Sequence, residues 1–315
     1  MKYKHLFGPV QSRRLGFSLG VDLVPFKYCP LNCVYCEVQS TDHLTLERRE
    51  FFPLQEITDE LADFLKDQPQ LDYITFSGAG EPTLYSRIGD IVRFIKDEFP
   101  GYKLALLTNG TLLNNSSLRQ EILPCDLILP SLDACRQQTF KIINQPHPEL
   151  TAAGLVEALV ALRNDYHGLI WLEVFIIAGI NDSEEELACL CEAIGRIRPD
   201  LVQINSLDRP GAEAWVQAAG DSVLNKVLDY FSARLGMPVE IIAKAHQANT
   251  DLHVPEDIEA AIAATLKRRP STAEDLSSSL GLHINEISKF LRQLHGEGKV
   301  SVRREHRGIF YSWKQ

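Results

Sequence analysis

The sequence predicts an α/β fold: six strand–helix units on a parallel sheet, followed by a small unit of three helices and a hairpin. Three observations predict it. From Phe17 to Ile242 strand-length apolar runs alternate with stretches of helical periodicity. The glycine-rich and polar motifs fall at the ends of the apolar runs, where open sheets and barrels of this class place function. From Pro255 onward the alternation stops and the charge changes sign. That stretch holds ten Lys+Arg and eight Asp+Glu, whereas residues 1–254 hold 22 and 34.

Phe17–Pro25 is the first strand-like run, and a cysteine-rich loop follows it. Leu54–Lys66 carries leucine and isoleucine at helical spacing. The remaining units pair Leu71–Ser77 with Ser86–Glu98, Lys103–Asn109 with Ser116–Ile122, and Asp126–Leu132 with Thr151–Asn164. Leu169–Ala178 is followed by Ser183–Ile197, Leu201–Leu207 by Asp221–Leu235, and Val239–Ile242 closes the series. Such alternation implies parallel strands and right-handed crossovers, satisfied by a doubly wound sheet or by a barrel.

Composition narrows the function. With 315 residues, 45% hydrophobic and 23% charged, the chain suits one large and one small globular domain. The N-terminus lacks an apolar stretch of signal-peptide length, and the longest apolar run, Leu169–Ile180, is broken by Glu173. No membrane association is expected, and the cytoplasm is the expected compartment. A net charge of −10 argues against broad nucleic-acid binding. Seven cysteines, an odd number without a disulfide framework, suit a reducing environment.

The chemistry concentrates in Tyr28–Glu37, where Cys29, Cys33 and Cys36 are spaced Cys-x3-Cys-x2-Cys. A structural zinc site wants four ligands, and no second pair stands at comparable spacing. Three thiolates fit a [4Fe–4S] cluster with one iron left open to a ligand. Pro30 and Asn32 suit a loop.

This motif, with Tyr35 before the last cysteine, resembles that of the radical S-adenosylmethionine (SAM) superfamily, and the resemblance covers about residues 8–245. It implies that Cys29, Cys33 and Cys36 hold the cluster and that SAM chelates the open iron. It further implies one-electron cleavage of SAM to a 5′-deoxyadenosyl radical, which abstracts hydrogen from a substrate. A reductant such as flavodoxin or ferredoxin is implied as a partner. It also selects a partial (β/α)6 TIM-like barrel, spanning residues 1–250, from the architectures left open above.

Gly78-Ala79-Gly80-Glu81-Pro82 resembles the superfamily's glycine-glycine-glutamate-proline motif, which contacts the SAM amino group, with Ala79 in place of a glycine. The same five residues also suit an ordinary strand-to-helix turn. Asn109 is a candidate SAM contact and equally a turn cap before Gly110. Ser131 resembles the residue that meets the SAM ribose or carboxylate, and Asp133, on the same strand face, either assists it or caps the next helix. Glu173, inside an apolar strand, needs a partner, whether a ligand or a basic side chain. Gln203 and Asn205 share one strand face and suggest a polar cavity. Asp208-Arg209 suits an anionic substrate group or a surface ion pair. Arg13-Arg14 suits a carboxylate or phosphate, or plain solvation, and His147 lies where a substrate-facing loop is expected. Cys125, Cys135, Cys189 and Cys191 read as incidental, with a second cluster as the alternative.

Phrases such as SRRLGFSLGVDLVP, SLDA and INSLDRP resemble a branch near the wyosine-type tRNA-modifying enzymes. Those carry three further cysteines upstream, and this chain has none before Cys29.

In the last part, Pro255–Leu266 predicts a helix. Ser271 with Glu274 predicts a capping box that opens a second helix ending at Gly281. Ile284–His295 is a third helix, and Val300–Arg303 and Ile309–Trp313 alternate like a hairpin. Residues 251–315 thus resemble a winged helix-turn-helix, with Arg303, Arg304 and Arg307 on the wing. That unit suits RNA, such as tRNA, or docking of a protein substrate. The third reading is a cluster-bearing, redox-sensing DNA regulator, which would have no use for the motifs at the strand ends.

Overall fold

The computed structural model describes residues 3–242, 258–305 and 307–314. An eight-stranded sheet organises the first part, and its spatial order follows the chain. β1 (Leu6–Ser12) and β2 (Gly16–Val21) form an antiparallel hairpin. Six further strands run parallel to β2: β3 (Tyr73–Phe76), β4 (Leu104–Thr108), β5 (Leu127–Pro130), β6 (Leu169–Phe175), β7 (Leu201–Asn205) and β8 (Val239–Ile241). Among the described residues β1 does not pair with β8, so the sheet is open.

The connecting helices follow from local signals. α1 (Leu54–Leu65) buries Ile57, Leu61 and Leu65 at four-residue spacing. α2 (Ile88–Glu98) buries Ile88, Ile91, Val92 and Ile95. Asn115 caps α3 (Ser116–Ile122), and Thr151 caps α5 (Ala152–Asp165). Ser183 caps α6 (Glu184–Ile197), whose first turn carries three glutamates at the positive end of the helix dipole. α7 (Asp221–Ser232) leads to β8. Neighbouring helices pack on one another in sequence, so all lie on one side of the sheet. A doubly wound sheet would divide them between two faces; a one-sided layer is the arrangement of an open barrel.

The two faces have different tasks. Ile74, Phe76, Leu106, Ile128, Leu172, Val174, Val202 and Ile204 meet the helices in the main core. Ala105, Leu127 and Leu129 alternate with them on the inner face, beside Tyr73, Leu107 and Trp171. Leu15, from the β1–β2 turn, joins that inner cluster. The sequence reading missed β1 and therefore this turn. It also missed α4 (Gln137–Asn144), a helix in the segment read as a substrate-facing loop.

The second part has its own core of Ile262, Leu266, Leu276, Ile287, Leu291, Leu294 and Val300. It comprises α8 (Ile258–Arg268), α9 (Ala273–Leu280), α10 (Ile284–Gly296), and the antiparallel pair β9 (Val300–Glu305) and β10 (Gly308–Trp313). The expected helix start at Pro255 lies outside the described residues. The capping box of α9 is Thr272 with Asp275, one residue later than expected, because Ser271 is taken up by backbone pairing with Tyr311. Gly281 ends α9 in the left-handed conformation.

Charged contacts join the two parts. Arg268 Nη2 lies 2.5 Å from Asp22 Oδ2, and its guanidinium stands 4.3 Å from the Phe7 ring centroid. Arg307 donates to Asp208 Oδ2 at 2.6 Å and also to Asp275. Arg307 was expected to decorate a wing; it faces the barrel because Asp208 offers a partner with only 4% side-chain exposure. Among the described residues no helix is long and apolar enough to cross a membrane.

Candidate functional site

The cysteine loop leaves β2 and returns along a short parallel pairing of Tyr28–Cys29 with His43–Leu44. Its backbone is held from three sides. On one side Lys27 N donates to Ala79 O at 2.7 Å, and Glu81 N donates to Tyr28 O at 3.0 Å. From the end of α4, Asn144 O accepts from Asn32 N, Ile143 O accepts from Val34 N, and His147 N donates to Pro30 O. His147 is thus seen as a brace. On the third side Glu213 N donates to Val34 O at 2.9 Å. Val34 is buried with Ile143, Phe175, Ile177 and Val216 in a small cluster of its own.

Two glycines make this grip possible. A Cβ on Gly80 would lie 2.2 Å from the Tyr28 carbonyl oxygen, and one on Gly211 would lie 2.9–3.0 Å from the Tyr35 backbone. Gly80→Ala therefore has to displace the loop. We expect a loss of about 1–3 kcal/mol, the usual cost of overpacking, and fewer iron atoms per chain after reconstitution. Iron content and unfolding midpoint equal to wild type would refute this.

Two side-chain amides address the thiols, Asn144 buried and Asn109 half-buried. Asn109 Nδ2 donates to Cys29 Sγ at 3.4 Å, and Asn144 Nδ2 donates to Cys33 Sγ at 3.3 Å. Asn109 also accepts from Thr111 N and Thr111 Oγ1, so it caps its turn as well. The Asn144 role was missed in the sequence; the only cue was a polar residue at the end of an apolar helical pattern.

Asp133 connects these parts. Its Oδ2 accepts from Tyr35 Oη at 2.5 Å and from Asn144 Nδ2 at 2.7 Å, and its Oδ1 accepts from Phe175 N at 3.0 Å. Burial pushes its carboxyl up to about 6, against the pull of those donors. The Tyr35 ring stacks on Phe175 with centroids 3.8 Å apart. Burial, with the Asp133 charge next in importance, holds the Tyr35 phenol well above its ordinary range.

Glu81 is buried, and its carboxylate accepts from Thr83 N, Thr83 Oγ1, Thr108 Oγ1 and Asn109 N. It ties the Gly78–Glu81 loop to the end of β4. Ala79 N in turn donates to Asp22 Oδ1 at 3.1 Å. Ser131, after β5, bridges to Glu173 through the backbone. Glu173 finds a basic partner, Arg14, and also accepts from Asn205 Nδ2 at 3.2 Å. Of the two readings of Arg14, the carboxylate contact is the one present. Gln203 turns away from this group: its Nε2 donates to Glu240 Oε1 at 2.8 Å. Arg209 is buried, within 3.5 Å of Glu37, Asp208 and Asp275.

Ala79, Gly80, Glu81, Asn109 and Asp133 thus meet the loop that carries Cys29, Cys33, Tyr35 and Cys36, and Ser131, Glu173 and Asn205 form a neighbouring group on the ends of β5, β6 and β7. Among the described residues, no three His, Cys, Asp or Glu side chains converge on a single ion. A cubane does not require that, because each cysteine binds a different iron. The donor set fits such a group. Burial raises the Cys29 and Cys33 thiols and pushes Cys36 up to about 11, so thiolates here need a cation beside them. The Asn109 and Asn144 amides already offer N–H groups to sulfur, as cluster sites do.

Cys135 and Cys189, read as incidental, form a disulfide that ties the loop after β5 to α6. The same junction is held by Glu186, which accepts from the backbone N–H of Cys135 and Arg136. Cys125 is buried, and Cys191 is half-buried.

Comparison with known proteins agrees with this geometry. Residues 23–191, more than half of the chain, match the radical SAM superfamily. A protein of Brachyspira hyodysenteriae named GTPase Obg is 35% identical over 95% of this chain. The chain spans only 44% of that relative's length. The UPF0026 protein MJ1312 of Methanocaldococcus jannaschii is 30% identical, over 97% of this chain and 94% of that protein. In fold, the chain is similar to a radical SAM methyltransferase from Sphaerobacter thermophilus, with a TM-score of 0.56, 18% identity, and coverage of 71% and 65% of the two chains. Streptococcus suis SuiB bound to S-adenosylmethionine gives a TM-score of 0.54 at 13% identity, covering 76% of this chain and 54% of SuiB. The chain belongs to the radical SAM superfamily, and it is an enzyme that uses a [4Fe–4S] cluster and SAM.

Proposed function

We propose that this chain is an oxidoreductase of the cytoplasm that abstracts hydrogen from an RNA substrate, in a branch near the wyosine-type tRNA-modifying enzymes but without their upstream cysteines. Cys29, Cys33 and Cys36 would hold the cluster. Tyr35, Ala79, Gly80, Asn109 and Ser131 would frame SAM, with Glu81 and Asp133 bracing that frame. Glu173 and Asn205, with Arg14, would offer polar groups to SAM or substrate. When bound, the cluster and SAM supply a one-electron cleavage that ends in hydrogen abstraction. The protein's own part is to hold the loop, exclude water and aim the substrate. A flavodoxin or ferredoxin would supply the electron.

The observation that carries the RNA reading is the placement of the second part. We read residues 251–315 as a winged helix-turn-helix fixed beside the mouth of a barrel formed by residues 1–250. Lys289 and Arg292 on α10 and Arg304 on β9 are exposed and would be available to phosphates, while Arg303 is paired with Glu305.

The test is 5′-deoxyadenosine formation by anaerobically reconstituted, reduced protein with no substrate, with small RNA, and with the same RNA after nuclease digestion. Stimulation by intact RNA alone is expected. Stimulation by a protein or peptide fraction instead would replace RNA as the substrate class. Cluster-dependent DNA binding without any SAM cleavage would move the chain to the sensor class.

A further inference from the structure

A cleft of about 740 Å³ lies where the second part meets the cysteine loop. Phe26, Glu37 and Ala79 line it from the barrel side, and Lys267, Arg269 and Trp313 from the other. Ala79 belongs to the Gly78–Glu81 loop, and Glu37 follows Cys36, so the cleft borders both flanks of the cofactor site.

Its charges do not cancel. The carboxylates on its wall already have cations: Asp22 has Arg268, Glu37 has Arg209 at 3.5 Å, and Asp42 has Lys27 at 3.8 Å. Lys267 has no carboxylate partner among the described residues, and its ammonium stands 4.9 Å from the Trp313 ring centroid. Arg269 makes no direct ion pair among the described residues, although the Glu37 and Asp275 carboxylates act on it from farther away. Burial, and then the neighbouring Arg209, pull it down to about 10, which still leaves a guanidinium charged at neutral pH. Arg268 Nη1 is buried without a hydrogen-bond partner. Lys267 is exposed and Arg269 half-buried, so the ammonium and the guanidinium are both open to an anion that enters the cleft. Three sets of N–H donors suit a doubly charged group better than a single carboxylate, and the faces of Phe26 and Trp313 suit a planar ring.

We propose that this cleft is a binding site for a nucleoside phosphate, with the phosphate held by Arg269 and Lys267 and the ring placed against Phe26 or Trp313. The ligand is a free nucleotide or one residue of an RNA. The inference rests on the proposed RNA function only for the origin of the ligand; the site itself stands on the geometry.

Calorimetric titration of the anaerobically reconstituted full-length protein, with SAM saturating, tests it. The probes are adenosine, AMP, and an adenosine trinucleotide with and without a 5′-phosphate. AMP is expected to bind and adenosine not. Arg269→Gln is expected to weaken AMP at least about tenfold, the loss of one charge-assisted contact. Arg269→Lys keeps most of the affinity, and Lys226→Gln, on the exposed face of α7, leaves it unchanged. The cluster absorbance of each variant shows that it is folded. AMP affinity equal in wild type and Arg269→Gln, or no AMP binding at millimolar concentration, overturns the site. AMP binding that depends on Arg269, with no trinucleotide binding, keeps the site and removes the RNA. Trinucleotide binding sensitive to Lys289→Gln but not to Arg269→Gln keeps the RNA and removes the site.

Discussion

Cys33→Ala is expected to reduce 5′-deoxyadenosine formation below detection and to lower bound iron per chain. Cys33 stands between Cys29 and Cys36 in sequence, and all three thiols sit on one half-buried loop. A missing ligand there is not replaced from nearby, because Cys125 follows α3, Cys191 lies on α6, and Cys135 and Cys189 are bonded to each other. The variant also removes one of the two acceptors of the Asn144 amide, which keeps its bond to Asp133. The stability loss of the apoprotein is expected to be small, about 1 kcal/mol for one buried small side chain, so activity and folding separate cleanly. A variant that retains wild-type 5′-deoxyadenosine formation would remove Cys33 from the ligand set.

Asp133→Ala is expected to give the largest stability effect of any single change at the site. It leaves three buried donors, Tyr35 Oη, Asn144 Nδ2 and Phe175 N, without their acceptor. Unpaired buried groups cost about 1–3 kcal/mol each, and partial relaxation brings the expected total to about 4 kcal/mol. Urea unfolding of the apoprotein measures it. Asp133→Asn isolates the charge. The folded carboxyl sits near 6 and its ordinary value is 3.8, so the folded state holds the proton more tightly than the unfolded chain. The stability that proton binding contributes is complete below pH 3.8 and is lost as pH rises through 6. Between pH 4 and 7 the wild type should therefore lose roughly 2.4 kcal/mol relative to Asp133→Asn. A difference between the two that does not change with pH would show that Asp133 titrates normally in the fold.

Much of the barrel was legible because strands and helices differ in period, and each strand end carried its own polar signature. Cys29, Cys33, Cys36, Gly80 and Asn109 stood out by motif and by resemblance to the superfamily, and the structure brings them to one loop. What escaped depends on pairs distant in sequence. Arg14 and Glu173 were both noticed, but their pairing needs the β1–β2 turn to cross the inner face. Asn144 reaches Cys33 only because α4 ends beside the cysteine loop. The Cys135–Cys189 bond joins a loop to a helix 54 residues away. Arg307 looked like a wing residue because nothing in its neighbourhood announces Asp208. The capping box moved by one residue because a bridge from Ser271 to Tyr311, forty positions on, competes for the first candidate.

The β1–β2 turn has a consequence for how such a site can change over time. Leu15 fills the inner face against Ala105, Leu127 and Leu129, and Arg14 beside it meets Glu173. The floor of the chamber is therefore not made by the strands that form its walls. It is a tongue inserted from the edge, and its reach is set by the few residues between Ser12 and Gly16. Lengthening that tongue would raise the floor, and shortening it would deepen the space above, while every hydrogen bond between the parallel strands stayed in place. Substrate size can drift along this chain without any renegotiation of the barrel.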